Sequence, residues 1–184
     1  LKPGSIKLDF LESIFRNKPK VSMDLSLKGK IEKSAKIVEA STKGSLPVYG
    51  VNTGFGKLAN KIIPEEDREQ LQKNLVLSHC SGIGEPLPED VTRLMMILKM
   101  ISLSFGASGV KWSTINQIEK IINSGILPEI PHQGSVGASG DLAPLAHMAA
   151  VMIGEGWAFY NGDKLSGREA LQKVKIDPIV LGPK

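Results

Sequence analysis

The fifteen residues from Val91 to Phe105, VTRLMMILKMISLSF, are apolar on nearly every side of an α-helix. Such a helix loses free energy wherever it meets water, so it belongs at the centre of a helical assembly rather than on its rim. Lys99 interrupts the run, and the apolar part is too short to cross a bilayer. The flanking sequence supplies further helices. Pro64 ahead of Glu65, Glu66 and Asp67, and Pro88 ahead of Glu89 and Asp90, predict helix starts, because proline lacks only an N–H that would be unpaired there and carboxylates suit the N-terminal dipole. The first of these helices is expected to reach about Cys80. Leu27, Ile31, Ala35 and Val38 form one stripe of a helix from about Asp24 to Lys43, with Gly44 placed to stop it. Ser113 or Thr114 opens a helix carrying Ile115, Ile118 and Ile122 and ended by Gly125. Asp141 is expected to cap a helix through about Ile153, in which Pro144 is tolerable because it lies in the first turn.

Strand signals are few. Ile6 and Leu8 alternate like a short strand ahead of a helix capped by Asp9, and LPVYGVNTGFGK (46–57) reads as strand and loop. Residues 126–140 read as a loop. FYNGDK (159–164) reads as a hairpin with an Asn-Gly turn, and Ser166 with Glu169 as a capping box. The expected fold class is mainly α with a few short strands. Residues 1–110 are expected to form an N-terminal α+β region, and residues 111–184 the start of a central helical region.

Composition narrows the function. With 184 residues, 41% hydrophobic and 23% charged, the chain can bury a core. The single cysteine, Cys80, cannot form an internal disulfide, which together with the absence of a signal peptide predicts a soluble, cytoplasmic protein. The net charge of +4 arises in residues 1–60, where 11 basic side chains face 5 acidic ones. These cations are spaced along a helix between glutamates and lack interleaved aromatics, so they predict a solvated face and no nucleic-acid site. Cys80, His132 and His147 have no familiar ligand spacing, and no metal is expected.

The most distinctive segment is GSVGASGDLAPLAHMA, Gly134 to Ala149. Three glycines within seven residues permit unusual backbone geometry, and the bland reading is a linker or tight turn. Linkers are usually polar, whereas this one lies between the proline-anchored LPEIPHQ and an apolar helix, so the loop is expected to be held inside the protein. Ala138, Ser139 and Gly140 have the chemistry for one contortion. If the loop is compressed, the amide nitrogen of Gly140 attacks the carbonyl carbon of Ala138 and closes a five-membered ring with loss of water. Loss of the Ser139 hydroxyl as a second water leaves an exocyclic methylene, which is an electrophile. The tripeptide alone is weak evidence, for Ala107, Ser108 and Gly109 repeat it without the surrounding glycines and the aspartate.

The longer stretch SVGASGDLAPLAHMA resembles the signature of the histidine and aromatic amino acid ammonia-lyase family. The resemblance implies that Ala138, Ser139 and Gly140 become a methylidene-imidazolone (MIO) prosthetic group, formed autocatalytically and supported by Asp141. A second block, YGVNTGFGKLA (Tyr49 to Ala59), is similar to the family's tyrosine loop, which implies that Tyr49 is the catalytic base. Its glycines superficially suggest a phosphate cradle, but no Ser or Thr follows Lys57 and Ala59 breaks the glycine pattern. As base, Tyr49 must release a proton from a phenol whose reference pKa is about 10. A third block, LQKNLVLSHCSGIGEPL (Leu71 to Leu87), carries Ser78-His79, a pair similar to that of histidine-specific members. His79 is thereby implied to hydrogen-bond the imidazole of the substrate, with Ser78 beside it, while His132 and His147 are read as structural.

The implied activity is elimination of ammonia from L-histidine to give trans-urocanate, a step of histidine degradation, by a homotetramer of larger helical-bundle subunits. Alternatives are a phenylalanine or tyrosine ammonia-lyase or aminomutase with the same prosthetic group, and a catalytically silent fragment acting as a folding or interaction unit. Family members are much longer, which makes the chain the expected N-terminal portion. The asparagine, arginine, tyrosine and glutamate that complete the family's site have no counterpart in this sequence. The fragment alone is expected to be inactive.

Overall fold

Helix-forming segments dominate the chain, and two of them begin where a proline is followed by acidic residues. The computed structural model describes residues 1–44 and 46–182. Among these, α1 (Leu8–Asn17) leads through a 3-10 turn (Leu25–Leu27) into α2 (Lys28–Thr42), followed by α3 (Glu65–His79), α4 (Glu89–Leu103), α5 (Trp112–Ser124), α6 (Leu142–Met152) and α7 (Gly167–Lys173). Five short strands join them: β1 (Ile83–Pro86), β2 (Leu127–Pro128), β3 (Pro131–Gln133), β4 (Trp157–Tyr160) and β5 (Asp163–Ser166). β1 pairs with β3, and β4 lies between β2 and β5 in a second sheet, all antiparallel. The chain is mainly helical with a few short strands, as its patterning requires.

The core forms where apolar stripes converge. Met96, Ile97 and Met100 of α4 are buried in one cluster with Ile115, Ile118 and Ile121 of α5, Ile14 of α1, Ile31 of α2, Val151 of α6 and Leu171 of α7. Each aliphatic side chain so buried contributes about 1.5–3 kcal/mol, which is why the α4 stripe organises the helices around it. Yet α4 is not enclosed. Val91 and Leu98 are exposed, as is Phe105 just beyond its end, so the helix buries one side and presents the other to solvent.

Several expectations need correction. No strand forms at residues 6–8: Leu8 already begins α1, Lys7 stands at its N-cap, and Asp9 lies inside the first turn, where it complements the dipole without capping. The segment 46–57 forms turns with one isolated bridge, Thr53 to Ile62, and a 3-10 turn at Gly56–Leu58. Its order comes from a side chain: Asn52 Oδ1 accepts from the Val48 amide (2.7 Å) and Asn52 Nδ2 donates to the Leu46 carbonyl (2.9 Å). α5 starts at Trp112, ahead of Ser113, because Glu32 of α2 accepts from the Trp112 amide at 2.9 Å. The region 126–140 holds β2 and β3, whose partners Phe159 and Ile83 lie far along the chain. The segment from Gly134 to Gly140 is exposed rather than held inside. The hairpin turn at Asn161 and Gly162 and the Ser166–Glu169 capping box are both present. Pro183 and Lys184, at the end of the expected C-terminal region, lie outside the described residues.

Candidate active site

The Ala-Ser-Gly segment is one turn of 3-10 helix, Gly137–Ser139, set directly ahead of α6. The Ser139 amide and hydroxyl both donate to the Val136 carbonyl, at 2.9 and 2.8 Å, and the Gly140 amide donates to Gly137 at 3.1 Å. A helical conformation at Ser139 folds the chain back, bringing the Gly140 nitrogen toward the Ala138 carbonyl carbon; an extended one would carry it away. Gly140 has φ +93°, a left-handed value that penalises a side chain, and no atom lies within 4 Å of where its Cβ would stand. The backbone sense, the exposed Ser139 hydroxyl and the freedom at Gly140 suit the ring closure that methylidene-imidazolone requires.

Asp141 sits at the N-cap position of α6 but does not cap it. Its own backbone is left-handed (φ 54°, ψ 45°), which turns the carboxylate away from the helix amides, and Oδ1 instead accepts from the Ser135 hydroxyl at 2.5 Å. That bond staples the two sides of the Ser139 turn together. Asp141, Gly140 and Ser135 line a cleft of about 470 Å³ that Lys99 of α4 also enters.

A second cleft, of about 580 Å³, gathers Tyr49, His79 and Ser139. Leu75 and Val76 of α3 and Leu142 and Leu145 of α6 form its apolar walls. Tyr49 comes from the Asn52-braced turn; its ring meets Phe55 edge to face (centroids 5.7 Å, 75°), and the residue stays 62% exposed. His79 is the last residue of α3 and is half-buried. Its Nδ1 lies 2.7 Å from the Leu75 carbonyl, which can only accept, so Nδ1 carries the proton and Nε2 of the neutral ring remains an acceptor. Ser78 does not share the cleft: it is exposed, and its hydroxyl donates to the same Leu75 carbonyl at 3.1 Å. No Lys, Arg, Asp or Glu lines this cleft among the described residues, so the chain offers it shape and hydrogen bonds but no counter-charge.

The other two histidines tie segments together. His132 Nδ1 lies 2.9 Å from the Glu85 carbonyl across the β1–β3 pair. His147 Nε2 accepts from the Gly82 amide at 3.2 Å, and burial lowers its pKa. The Cys80 thiol donates to the Val76 carbonyl at 3.3 Å, with its pKa raised by burial. The His147–Gly82 bond escapes sequence reasoning, since its partners stand 65 positions apart with no pattern linking them.

The helical fold delivers a tyrosine turn, a helix-terminal histidine and an Ala-Ser-Gly turn, each from a block that resembles the ammonia-lyase family, to one apolar cleft. Membership follows from direct comparison. The family model described as aromatic amino acid lyase matches residues 6–184, and the chain belongs to that family. Among solved structures it is similar to a phenylalanine aminomutase from Pantoea agglomerans, at 32% identity and TM-score 0.91 over 99% of this chain and 35% of that one. It is also similar to a histidine ammonia-lyase from Trypanosoma cruzi (32% identity, TM-score 0.86, 96% of this chain and 34% of that one). An ergothionase from Treponema denticola, described as an ergothioneine-degrading enzyme, matches at 28% identity and TM-score 0.91, over 97% of this chain and 36% of that one. The chain spans about a third of the length of these relatives.

Proposed function

We propose that the protein of which this chain forms part is a histidine ammonia-lyase, converting L-histidine to trans-urocanate and ammonia in the cytoplasm as a homotetramer. The observation that carries this reading is the convergence of Tyr49, His79 and Ser139 on one cleft, although up to ninety residues separate them. Ala138, Ser139 and Gly140 would hold the methylidene-imidazolone, which supplies an electrophile able to activate the substrate for loss of its amino group. Tyr49 is the base: its oxygen takes a proton from the β-carbon of the substrate while the Cα–N bond breaks and the Cα–Cβ double bond forms. His79 orients the substrate ring. With its Nδ1 proton engaged by Leu75, Nε2 is the atom left to accept from an imidazole N–H. Leu75, Val76, Leu142 and Leu145 exclude water from the face of that ring. Asp141, held by Ser135, braces the turn that bears Ser139.

The same tautomer supports a second reading. A phenolic hydroxyl is also a donor that Nε2 accepts, and the apolar walls suit a phenyl ring, so a tyrosine or phenylalanine lyase or aminomutase is the alternative. Assaying the full-length protein with histidine, tyrosine and phenylalanine in turn, for both the unsaturated acid and the β-amino acid, decides between them. Urocanate formed from histidine at the highest kcat/KM supports the first reading; preferential turnover of tyrosine or phenylalanine replaces it with the second.

A further inference from the structure

The end of α3 and the start of the Ser139 loop meet at a single backbone node, Gly82. A Cβ built on Gly82 would stand 3.1 Å from His147 Nε2, 3.2 Å from Pro131 Cβ and 3.3 Å from the Gln133 carbonyl oxygen. Gly134, with φ +149°, closes the same node: its Cβ would lie 3.1 Å from the Gly82 Cα and 3.4 Å from Ala143 Cβ. Four segments therefore touch there: the turn three residues after His79, strand β3, the first residue of the Ser139 loop, and α6. His147, eight residues beyond Ser139 on α6, supplies the side-chain hydrogen bond of the node by accepting from the Gly82 amide.

We propose that His147 is a positioning residue, whose acceptor at Nε2 holds the His79 end of α3 in register with the Ser139 turn. The role of His79 it serves rests on the function proposed above; the clamp itself rests on geometry alone. Because Nε2 accepts, the neutral ring carries its proton on Nδ1, and protonation to imidazolium would set a donor against the Gly82 amide and open the clamp. The ionisable side chains lining the cleft beside His147 are Cys80, Glu129 and Lys164. Burial is the larger influence on the ring and lowers its pKa; the Glu129 carboxylate, itself paired with Lys164 at 2.7 Å, opposes it, and the net lowering favours the acceptor form at neutral pH. The clamp is thus lost as pH falls through a value lower than that of an ordinary histidine.

The test compares His147→Leu, which removes the acceptor at similar volume, with His147→Gln, whose amide oxygen restores one, in the full-length protein. In His147→Leu, hydrogen exchange at the Gly82 amide should accelerate by about 3- to 10-fold, the loss of one net hydrogen bond. KM for the best of the three amino acids above should rise by a similar factor while kcat changes less. His147→Gln should return both to within about 2-fold and abolish the rise in KM expected of wild type at acidic pH. Unchanged Gly82 exchange in His147→Leu overturns the clamp whatever the substrate proves to be. Faster exchange with unchanged KM overturns the positioning role, and so does failure of Gln to rescue. A preference for tyrosine or phenylalanine, by contrast, overturns only the histidine reading and leaves the exchange result standing.

Discussion

Replacing the hydroxyl of Tyr49 with hydrogen keeps the edge-to-face contact with Phe55 and removes the oxygen proposed to take a proton from substrate. Tyr49→Phe should therefore leave the unfolding transition unchanged and lower turnover by at least about 100-fold, the usual contribution of a general base. His79→Leu should act on choice rather than rate. Stranding a buried polar group costs about 1–3 kcal/mol, so the preference for histidine over phenylalanine should fall by roughly 5- to 150-fold in competition assays. An unchanged preference would return His79 to a purely structural role. Tyr49, His79 and Ser139 were readable as candidates in the sequence because each lies in a contiguous motif. The tautomer of His79, the turning of Ser78 away from the cleft, the bond of Asp141 to Ser135 and the tie of His147 to Gly82 were not. Those depend on backbone direction and on partners brought together by folding, which no local pattern encodes.

The helices with local start signals were readable to within a residue or two. Pro64 and Pro88 stand at the N-caps of α3 and α4, and the Ser166–Glu169 box opens α7, because each signal is complete within four residues. Where the stabilising partner is remote the sequence is less informative: α5 is present and ends at Gly125 as expected, but its first residue is set by Glu32 from another helix, and β2 and β3 exist only because β4 and β1 pair with them. The α7 box offers a clean test. Ser166→Ala should destabilise by about 0.5–2 kcal/mol in denaturant titration, with the loss read as a shifted midpoint at constant slope. Hydrogen bonds from the Ser166 hydroxyl and amide hold the Glu169 carboxyl below its usual pKa. Its contribution is therefore present above the unfolded-state value and fades as pH falls through the lower folded value. The difference between wild type and Ser166→Ala should shrink in the same acidic window.

At the scale of the molecule, the chain spans about a third of its solved relatives, and its surface is consistent with a part that meets more protein. Leu98 of α4, Phe105 beyond it and Leu142 of α6 are exposed, and the Tyr49–His79–Ser139 cleft has no cationic group among the described residues for a substrate carboxylate. Expressed alone, residues 1–184 should therefore self-associate in sedimentation velocity and release no ammonia from histidine; monomeric chain that makes urocanate would contradict this. The glycine loop, expected to be held inside, is exposed: among the described residues nothing covers residues 134–140. If Ala138, Ser139 and Gly140 are the source of the electrophile, mass spectrometry of the full-length protein reveals it without a substrate. The expected intact mass is lower than the sequence by two water molecules, a deficit that maps to the peptide containing Ser139 and disappears in Ser139→Ala. A full sequence mass, or a deficit mapping to Ser108 in the second Ala-Ser-Gly, would contradict it.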